Sequence, residues 1–342
     1  MHGRYDNIKI QGITAAVPST VEDNMEYADL MDPRRVKKQI KLTGVKRRHV
    51  VKKEQRASDL AYAAAVNLIE NKRVDIHKVK ICILITQAPN YQLPSTAFFL
   101  HKRLGLDKDC LVYDMNLGCS SFNVGVQTVS ALLQACDVHT QALLLMSDSS
   151  GRAIDPEKNY TEDMITHNML FGSAATAILL EKVEHNDLYF MNMSDGNGFQ
   201  AIIKYVGNPA SMDGPEVFRF AINDVTEGIQ QFKNLYNIQE DMIDYYSFHQ
   251  AQGLILDNIV DLCNIPPEKE LRSIEEYGNT SGSSVLLNLC VNRDLLQPKD
   301  TCRFFISGFG VGLSWGYIYT TIDTCDIFPV METGDHYDED KI

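Results

Sequence analysis

The chain has 342 residues, of which 44% are hydrophobic and 23% charged. That is enough for one large domain or two of ordinary size around a sizeable core. A formal net charge of −13 at pH 7 argues against nucleic acid or an anionic membrane surface as the main partner.

No apolar run approaches the roughly 20 residues that a membrane helix needs. The start MHGRYDNIKI lacks the pattern of a signal peptide. Eight cysteines stand at 82, 110, 119, 136, 263, 290, 302 and 325 without a CxxC pair. Zinc is therefore not expected; most of the cysteines sit in apolar runs and read as small core residues, and a reducing cytoplasm is the expected setting.

Along the first half, apolar strands alternate with helices. NIKIQGITAAV at 7–17 reads as a strand. The basic run RRVKKQIKLTGVKRRH at 34–49 reads as a solvated face, with an anion site as the alternative. ASDLAYAAAVNLIE at 57–70 has helical apolar spacing, with Ser58 or Asp59 near its start. VKICILITQ at 79–87 and CLVYDMN at 110–116 read as buried strands. The segment from 120 to 136 reads as a helix, QALLLMS at 141–147 as a strand, and LFGSAATAILLE at 170–181 as a glycine-led strand. Such continuous apolar strands between helices predict a sheet covered on both faces.

The second half repeats the theme. Residues 215–236 read as helix, DYYSFHQ at 244–250 as a short strand, and 253–263 and 280–291 as helices. CRFFISGFGVGLSWGYIYTT at 302–321 reads as strand, glycine-rich turn, strand. Two related halves are expected, 1–185 and 186–325, followed by a solvated acidic tail at 326–342.

The chemistry starts with Cys119 in DMNLGCSSFNVGV at 114–126. One reading is core packing. The other is a nucleophile at the start of a buried helix, where free N–H groups and the helix dipole lower a thiol pKa. His249 ends an apolar strand in SFHQAQG; it is a satisfied structural residue or a group projecting into a cleft. Asn279 stands in EYGNTSGSS before a helix; it is ordinary turn chemistry or a polar site group. SGFGVGLSWG at 307–316 holds four glycines in ten residues. That fits a tight hairpin, or backbone brought close to a substrate with an N–H aimed at an oxyanion. A thiol, an imidazole and an amide in this order can make a covalent acyl catalyst.

With these motifs the chain resembles the β-ketoacyl-acyl carrier protein synthase III family, or a close relative in the thiolase superfamily. The matching motifs are GCSSF around Cys119, HQAQ at His249, GNTSGSS at Asn279 and GFGVGLSWG, with LTGVKRRHV at 42–50 and LPSTAFFLHKRLG at 93–105 in support. The likeness covers roughly 7–320.

The resemblance implies an α/β, five-layered αβαβα sandwich of two duplicated halves, usually a homodimer and without a cofactor. It implies that Cys119 takes an acyl group from acyl-CoA or an acyl carrier protein as an acyl-enzyme intermediate. His249 and Asn279 would support decarboxylation of a malonyl-type extender, whose carbanion attacks the acyl-Cys to give a β-ketoacyl product. The amides of Cys119 and Val311 would form the oxyanion hole. Phe309 would pack against the malonyl carboxylate, and Leu93 would wall the acyl pocket of the dimer partner.

Several positions depart from the family. Lys38 and Leu42 stand where a tryptophan and an arginine grip adenine. Gln252, Leu254, Ser173 and Leu93 replace an asparagine, an arginine, an aspartate and a large aromatic. These departures point to a specialised, secondary-metabolite enzyme rather than the initiator of fatty acid synthesis. The alternative is an acyltransferase on the same scaffold, passing the acyl group to a hydroxyl, amine or second β-keto chain, with His249 as base. A non-catalytic partner subunit and a papain-like protease are disfavoured. The first would lack the thiol or histidine, and the second would carry a CGSCW run near its start.

Overall fold

The computed structural model describes residues 1–155, 157–205 and 210–338. The chain opens with β1 (His2–Tyr5) and β2 (Ile8–Pro18). The short strands β3 (Val21–Asp23) and β4 (Arg47–His49) flank α1 (Pro33–Thr43). Then come α2 (Ala57–Lys72), β5 (Val79–Ile85), α3 (Thr96–Leu104), β6 (Leu111–Met115) and α4 (Ser121–Gln134). The first half closes with β7 (Gln141–Ser149), α5 (Glu162–Leu170) and β8 (Ser173–Lys182).

The second half carries β9 (Leu188–Ser194) and the antiparallel pair β10 (Ile202–Lys204) and β11 (Ala210–Met212). It continues through α6 (Gly214–Phe220), α7 (Thr226–Leu235), β12 (Tyr245–Phe248), α8 (Gly253–Leu262), β13 (Glu270–Leu271) and α9 (Ile274–Tyr277). It ends with α10 (Ser284–Val291), α11 (Arg293–Leu296), β14 (Thr301–Gly310), β15 (Ser314–Asp323) and β16 (Ile327–Thr333).

Two six-stranded sheets share one plan. The first runs β16-β2-β8-β7-β5-β6 and the second β1-β9-β15-β14-β12-β13. In the first, β2–β8 and β7–β8 are antiparallel and β5 is parallel to both β7 and β6. In the second, β9–β15 and β14–β15 are antiparallel and β12 is parallel to both β14 and β13. The duplication is therefore one of topology as well as motif. Only the outermost strands are exchanged: β1 joins the second sheet and β16 the first.

The core has three slabs. α4 and α10 lie between the sheets, where Phe122, Val126, Val285 and Leu289 meet Ile85, Leu144, Phe304 and Ile306. α2 and α3 cover the outer face of the first sheet, and α7 and α8 cover the outer face of the second. Counting outward, the order is helix, sheet, helices, sheet, helix, which is the five-layered αβαβα sandwich. Close packing is built into α4. A Cβ on Gly125 would stand 2.6 Å from Ile85 Cδ1, so only glycine lets the helix approach the sheet this nearly.

Two sequence readings are corrected. The 326–342 tail is not simply solvated: its first part forms β16, parallel to β2, with Ile327 buried. Edge strands tolerate a proline, here Pro329. Residues 339–342 lie outside the described residues. CLVYDMN yields β6, which is half-exposed because it borders its sheet on one side only. Among the described residues no helix is long and apolar enough to cross a membrane.

Candidate active site

Cys119 sits in the turn between β6 and α4, two residues before the helix begins. The Ser121 amide turns back to the Gly118 carbonyl at 2.9 Å. Ser120 Oγ and Ser314 Oγ are 2.6 Å apart, and Ser314 Oγ donates to the Val311 carbonyl at 2.6 Å. These bonds fasten the Gly118–Ser121 turn to the β14–β15 loop. That loop passes very close: a Cβ on Gly310 would lie 2.7 Å from Cys119 Cβ and 3.3 Å from Sγ. A Cβ on Gly118 would lie 3.2 Å from Val311 Cγ2. At Gly310 both this approach and a φ of 156° call for glycine, and at Gly118 a side chain would crowd Gln87 Oε1 at 3.0 Å as well as Val311. This approach puts Val311 against the Gly118–Cys119 turn.

The thiol does not behave as its position before a helix predicts. Burial, and then the Asp148 carboxylate, push Cys119 up to about 12, while the nearby Ser281 hydroxyl acts the other way. Desolvation disfavours a thiolate here, and the first amide of α4 is already spent on Gly118. The resting residue is a neutral thiol.

His249 follows β12, whose Phe248 pairs with Ser307 of β14. Its amide donates to the Ser307 carbonyl at 2.8 Å. Its ring stands edge-on to Phe309, with centroids 5.4 Å apart at 81°. Nδ1 lies 2.7 Å from Ser284 Oγ, which also accepts the Gln250 amide at 3.2 Å. The ring proton is assigned to Nε2, with the Ser284 hydroxyl donating to Nδ1. Burial lowers His249 to about 3, opposed by the Ser281 backbone. The ring is thus a neutral donor.

Asn279 is held from both sides. Its amide donates to the Leu170 carbonyl at 2.9 Å, and its carbonyl accepts from Gly172 at 3.1 Å. Its Oδ1 accepts the Ser281 amide at 2.9 Å, and Nδ2 donates to the Ala251 carbonyl at 3.3 Å. The side chain therefore presents its amino group on the side of the His249 segment. Gln250 is a scaffold residue: its Oε1 receives the amides of Ser273 and Ile274 at 3.1 and 3.2 Å.

The structure sets Gly310, between Phe309 and Val311, against Cys119, the His249 ring against Phe309, and Asn279 against Ala251 two residues past His249. It does not bring Leu93 there, which is 88% exposed on this chain. Ser173, one of the departures, is buried and donates to the Gly151 carbonyl at 2.7 Å. The sequence reading missed Asp148, Ser281 and Ser284. Asp148 carried a readable signal, a carboxylate at the carboxyl end of an apolar strand. The two serines carried none beyond membership of the GNTSGSS run. Among the described residues, no three or more His, Cys, Asp or Glu side chains are grouped to hold a metal ion.

Comparison with known proteins agrees with this arrangement. Two family profiles match: 3-Oxoacyl-[acyl-carrier-protein (ACP)] synthase III over residues 113–196, and its C-terminal counterpart over 235–322. The chain is 30% identical to a β-ketoacyl-[acyl-carrier-protein] synthase III of Acholeplasma laidlawii, covering 90% of this chain and 96% of the relative. It is 29% identical to that of Streptococcus gordonii, over 92% of this chain and 99% of the other. The crystal structure of a 3-oxoacyl-(acyl-carrier protein) synthase from Burkholderia xenovorans superposes with a TM-score of 0.89 at 28% identity, covering 97% of this chain and 99% of that one. Motifs, fold and relatives converge, and the chain belongs to the β-ketoacyl-[acyl-carrier-protein] synthase III family, condensing transferases of the thiolase superfamily.

Proposed function

We propose that the enzyme loads an acyl group from an acyl thioester onto Cys119 and condenses it with a malonyl-type thioester. Carbon dioxide leaves, and a β-ketoacyl thioester forms. The observation that carries this reading is the state of His249. An imidazole held neutral to about 3 is a poor base but a good hydrogen-bond donor. Beside Asn279 Nδ2 it suits an enolate oxygen, the charge that decarboxylation creates. The same observation disfavours transfer to a hydroxyl or amine with His249 as base, since a general base works best with a pKa near the working pH.

In this reading the Cys119 and Val311 amides receive the oxyanion of acyl loading, and Phe309 gives the malonyl carboxylate an apolar wall. Leu93, on the exposed segment before α3, walls the pocket of a second copy in a homodimer. The chain divides near residue 185 into its two duplicated halves. Free thiols at Cys82, Cys110, Cys263, Cys290 and Cys302 fit a reducing, cytoplasmic setting.

The departures Lys38, Leu42, Gln252 and Leu254 support a specialised substrate. Leu42 and Leu254 are both about 40% exposed, on α1 and α8, so two apolar side chains stand where the family has arginines. No cofactor enters the scheme; the substrates are thioesters of CoA or a carrier protein.

The experiment is intact-protein mass after incubation with acetyl-, butyryl- and octanoyl-CoA. The expected result is a single acyl adduct, lost in Cys119→Ala. An adduct that survives Cys119→Ala, or none with any donor, would overturn the reading.

A further inference from the structure

Beside the nucleophile lies a buried carboxyl that the condensation scheme leaves without a task. Asp148 stands near the carboxyl end of β7 and is 6% exposed. Its Oδ1 accepts the Gln87 amide at 2.7 Å and Thr86 Oγ1 at 3.4 Å, both from the end of β5. Two donors leave lone pairs on a carboxylate unused.

Next to it is Ser281, 3% exposed, in a left-handed backbone at φ 55°. Non-glycine residues occupy that region rarely. Its Oγ is buried and, among the described residues, meets no partner at hydrogen-bond geometry. An orphaned buried hydroxyl costs stability unless something uses it.

The surroundings fix where that hydroxyl lies. Ser283 Oγ donates to the Met146 carbonyl at 2.9 Å. Met146 is two residues before Asp148, so both share one face of β7. A Cβ on Gly282 would lie 3.1 Å from the Gly118 carbonyl. The 281–283 turn is thus wedged between the end of β7 and the Gly118–Cys119 turn. Ser281 flanks both the Cys119 thiol and the Asp148 carboxyl.

The geometry points to a proton path from Cys119 through Ser281 to Asp148 that serves acyl loading, and this rests on Cys119 being the acyl carrier. In the step, Sγ attacks the thioester carbonyl carbon. The thiol proton passes to Ser281 Oγ as Ser281 gives its own proton to the Asp148 carboxylate. The tetrahedral intermediate then collapses, breaking the donor's C–S bond. The leaving thiolate recovers the proton from Asp148 by way of Ser281. One thiol has exchanged for another, and no oxidant, reductant or further reactant is consumed.

The path answers a need the cluster otherwise leaves open. Cys119 rests protonated, and His249 is too weak a base to take its proton. Burial lifts Asp148 to about 6, against the hydrogen bonds from Gln87 and Thr86, the nearby Ser281 hydroxyl and the charge of Lys204. Asp148 is thus ionised just above that pH and is the strongest base beside the thiol. The titratable and charged groups that face it are Cys119 and Lys204 of β10, with His167 of α5 near Lys204. Its neighbours Thr86, just past β5, and Ala174 on β8 do not titrate. Loading should rise with pH through the Asp148 titration.

The test separates the half-reactions. Single-turnover acylation of Cys119 by octanoyl-CoA is followed by mass across pH 5 to 8, and decarboxylation of labelled malonyl-CoA is followed in parallel. Asp148→Asn should slow loading about 100-fold or more, the usual scale of general-base loss, and flatten its pH profile. Ser281→Gly removes the hydroxyl but suits the left-handed backbone, so it should slow loading without unfolding the turn. Decarboxylation should fall no more than a few-fold in either, and Asp148→Glu should recover part of the loading rate. Wild-type loading in both variants, an unchanged pH profile in Asp148→Asn, or an equal fall in both half-reactions would overturn the path. Failure of the wild type to load at all would instead remove Cys119 as the acyl carrier.

Discussion

At the scale of single residues, the site depends on burial more than on local sequence. His249 shows how that feeds back on stability. Its folded pKa of about 3 lies below the unfolded value near 6.5. Between those limits the unfolded chain binds a proton that the native one refuses. Stability therefore falls as pH drops from about 6.5 toward 3, by at most about 1.4 kcal/mol per unit. Asp148, raised to about 6, slopes the other way between roughly 4 and 6, because there the native state holds the extra proton. His249→Gln should remove the first slope and leave the second. Urea unfolding at pH 7, 6 and 5 checks it: the variant should lose less stability on acidification than the wild type. An identical pH dependence would mean that His249 is not the neutral ring described. The thiol teaches the same lesson. Its place before a helix is readable in GCSSF, but the carboxylate and the desolvation that govern it come from β7 and the 281–283 turn, far away in sequence.

At the scale of elements, α1 stands out. Asp32 caps it by accepting the Arg34 amide at 2.8 Å, Pro33 opens it, and Gly44 ends it in a left-handed turn at φ 77°. Arg34, Lys37, Lys38 and Lys41 recur at helical spacing on one exposed face. None is ion-paired among the described residues, whereas Arg35 pairs with Glu162. Like charges at this spacing repel by about 0.2–0.5 kcal/mol per pair, so the stripe carries a small standing cost in an acidic protein. The helix ends close to the site: a Cβ on Gly253, at the head of α8, would lie 3.1 Å from the Thr43 carbonyl. On the proposed function, a phosphate-bearing thioester that reaches Cys119 past the α1–α8 contact would meet the stripe. Lys37→Glu with Lys41→Glu should raise KM for acyl-CoA several-fold while kcat holds, and the difference should shrink near 1 M salt, where screening acts within about 3 Å. Equal KM values at low salt would leave the stripe as a solvated face, the other reading of the run at 34–49.

At the scale of the whole molecule, the duplicated sheets were readable in outline because apolar strands, helices and glycine-led strands recur in the same order in both halves. The exchange of outer strands was not. IFPVMET pairs on one side only, holds a proline and buries little beyond Ile327, so its pattern resembles a loop. Yet the tail does more than cover an edge. Gln55 Nε2 donates to the carbonyls of Thr333 and Asp335 at 3.0 and 3.1 Å. The Tyr337 ring packs on Phe99 at 5.0 Å and faces Arg103 at 4.6 Å. Truncation before Ile327 should cost at least the ~2 kcal/mol that burying one isoleucine contributes, read as a lower midpoint in urea. An unchanged midpoint would return the segment to the status of a tail. The central claim is that the site breaks the malonyl carboxyl bond with His249 and Asn279 as hydrogen-bond donors. Its most direct test is labelled carbon dioxide released from malonyl-CoA by the wild type and by Asn279→Ala, with acylation of Cys119 measured on the same samples. The account predicts release by the wild type, a fall of about 100- to 1000-fold in the variant, and acylation nearly intact. A wild-type enzyme that acylates Cys119 but releases carbon dioxide from no malonyl-type thioester would contradict it.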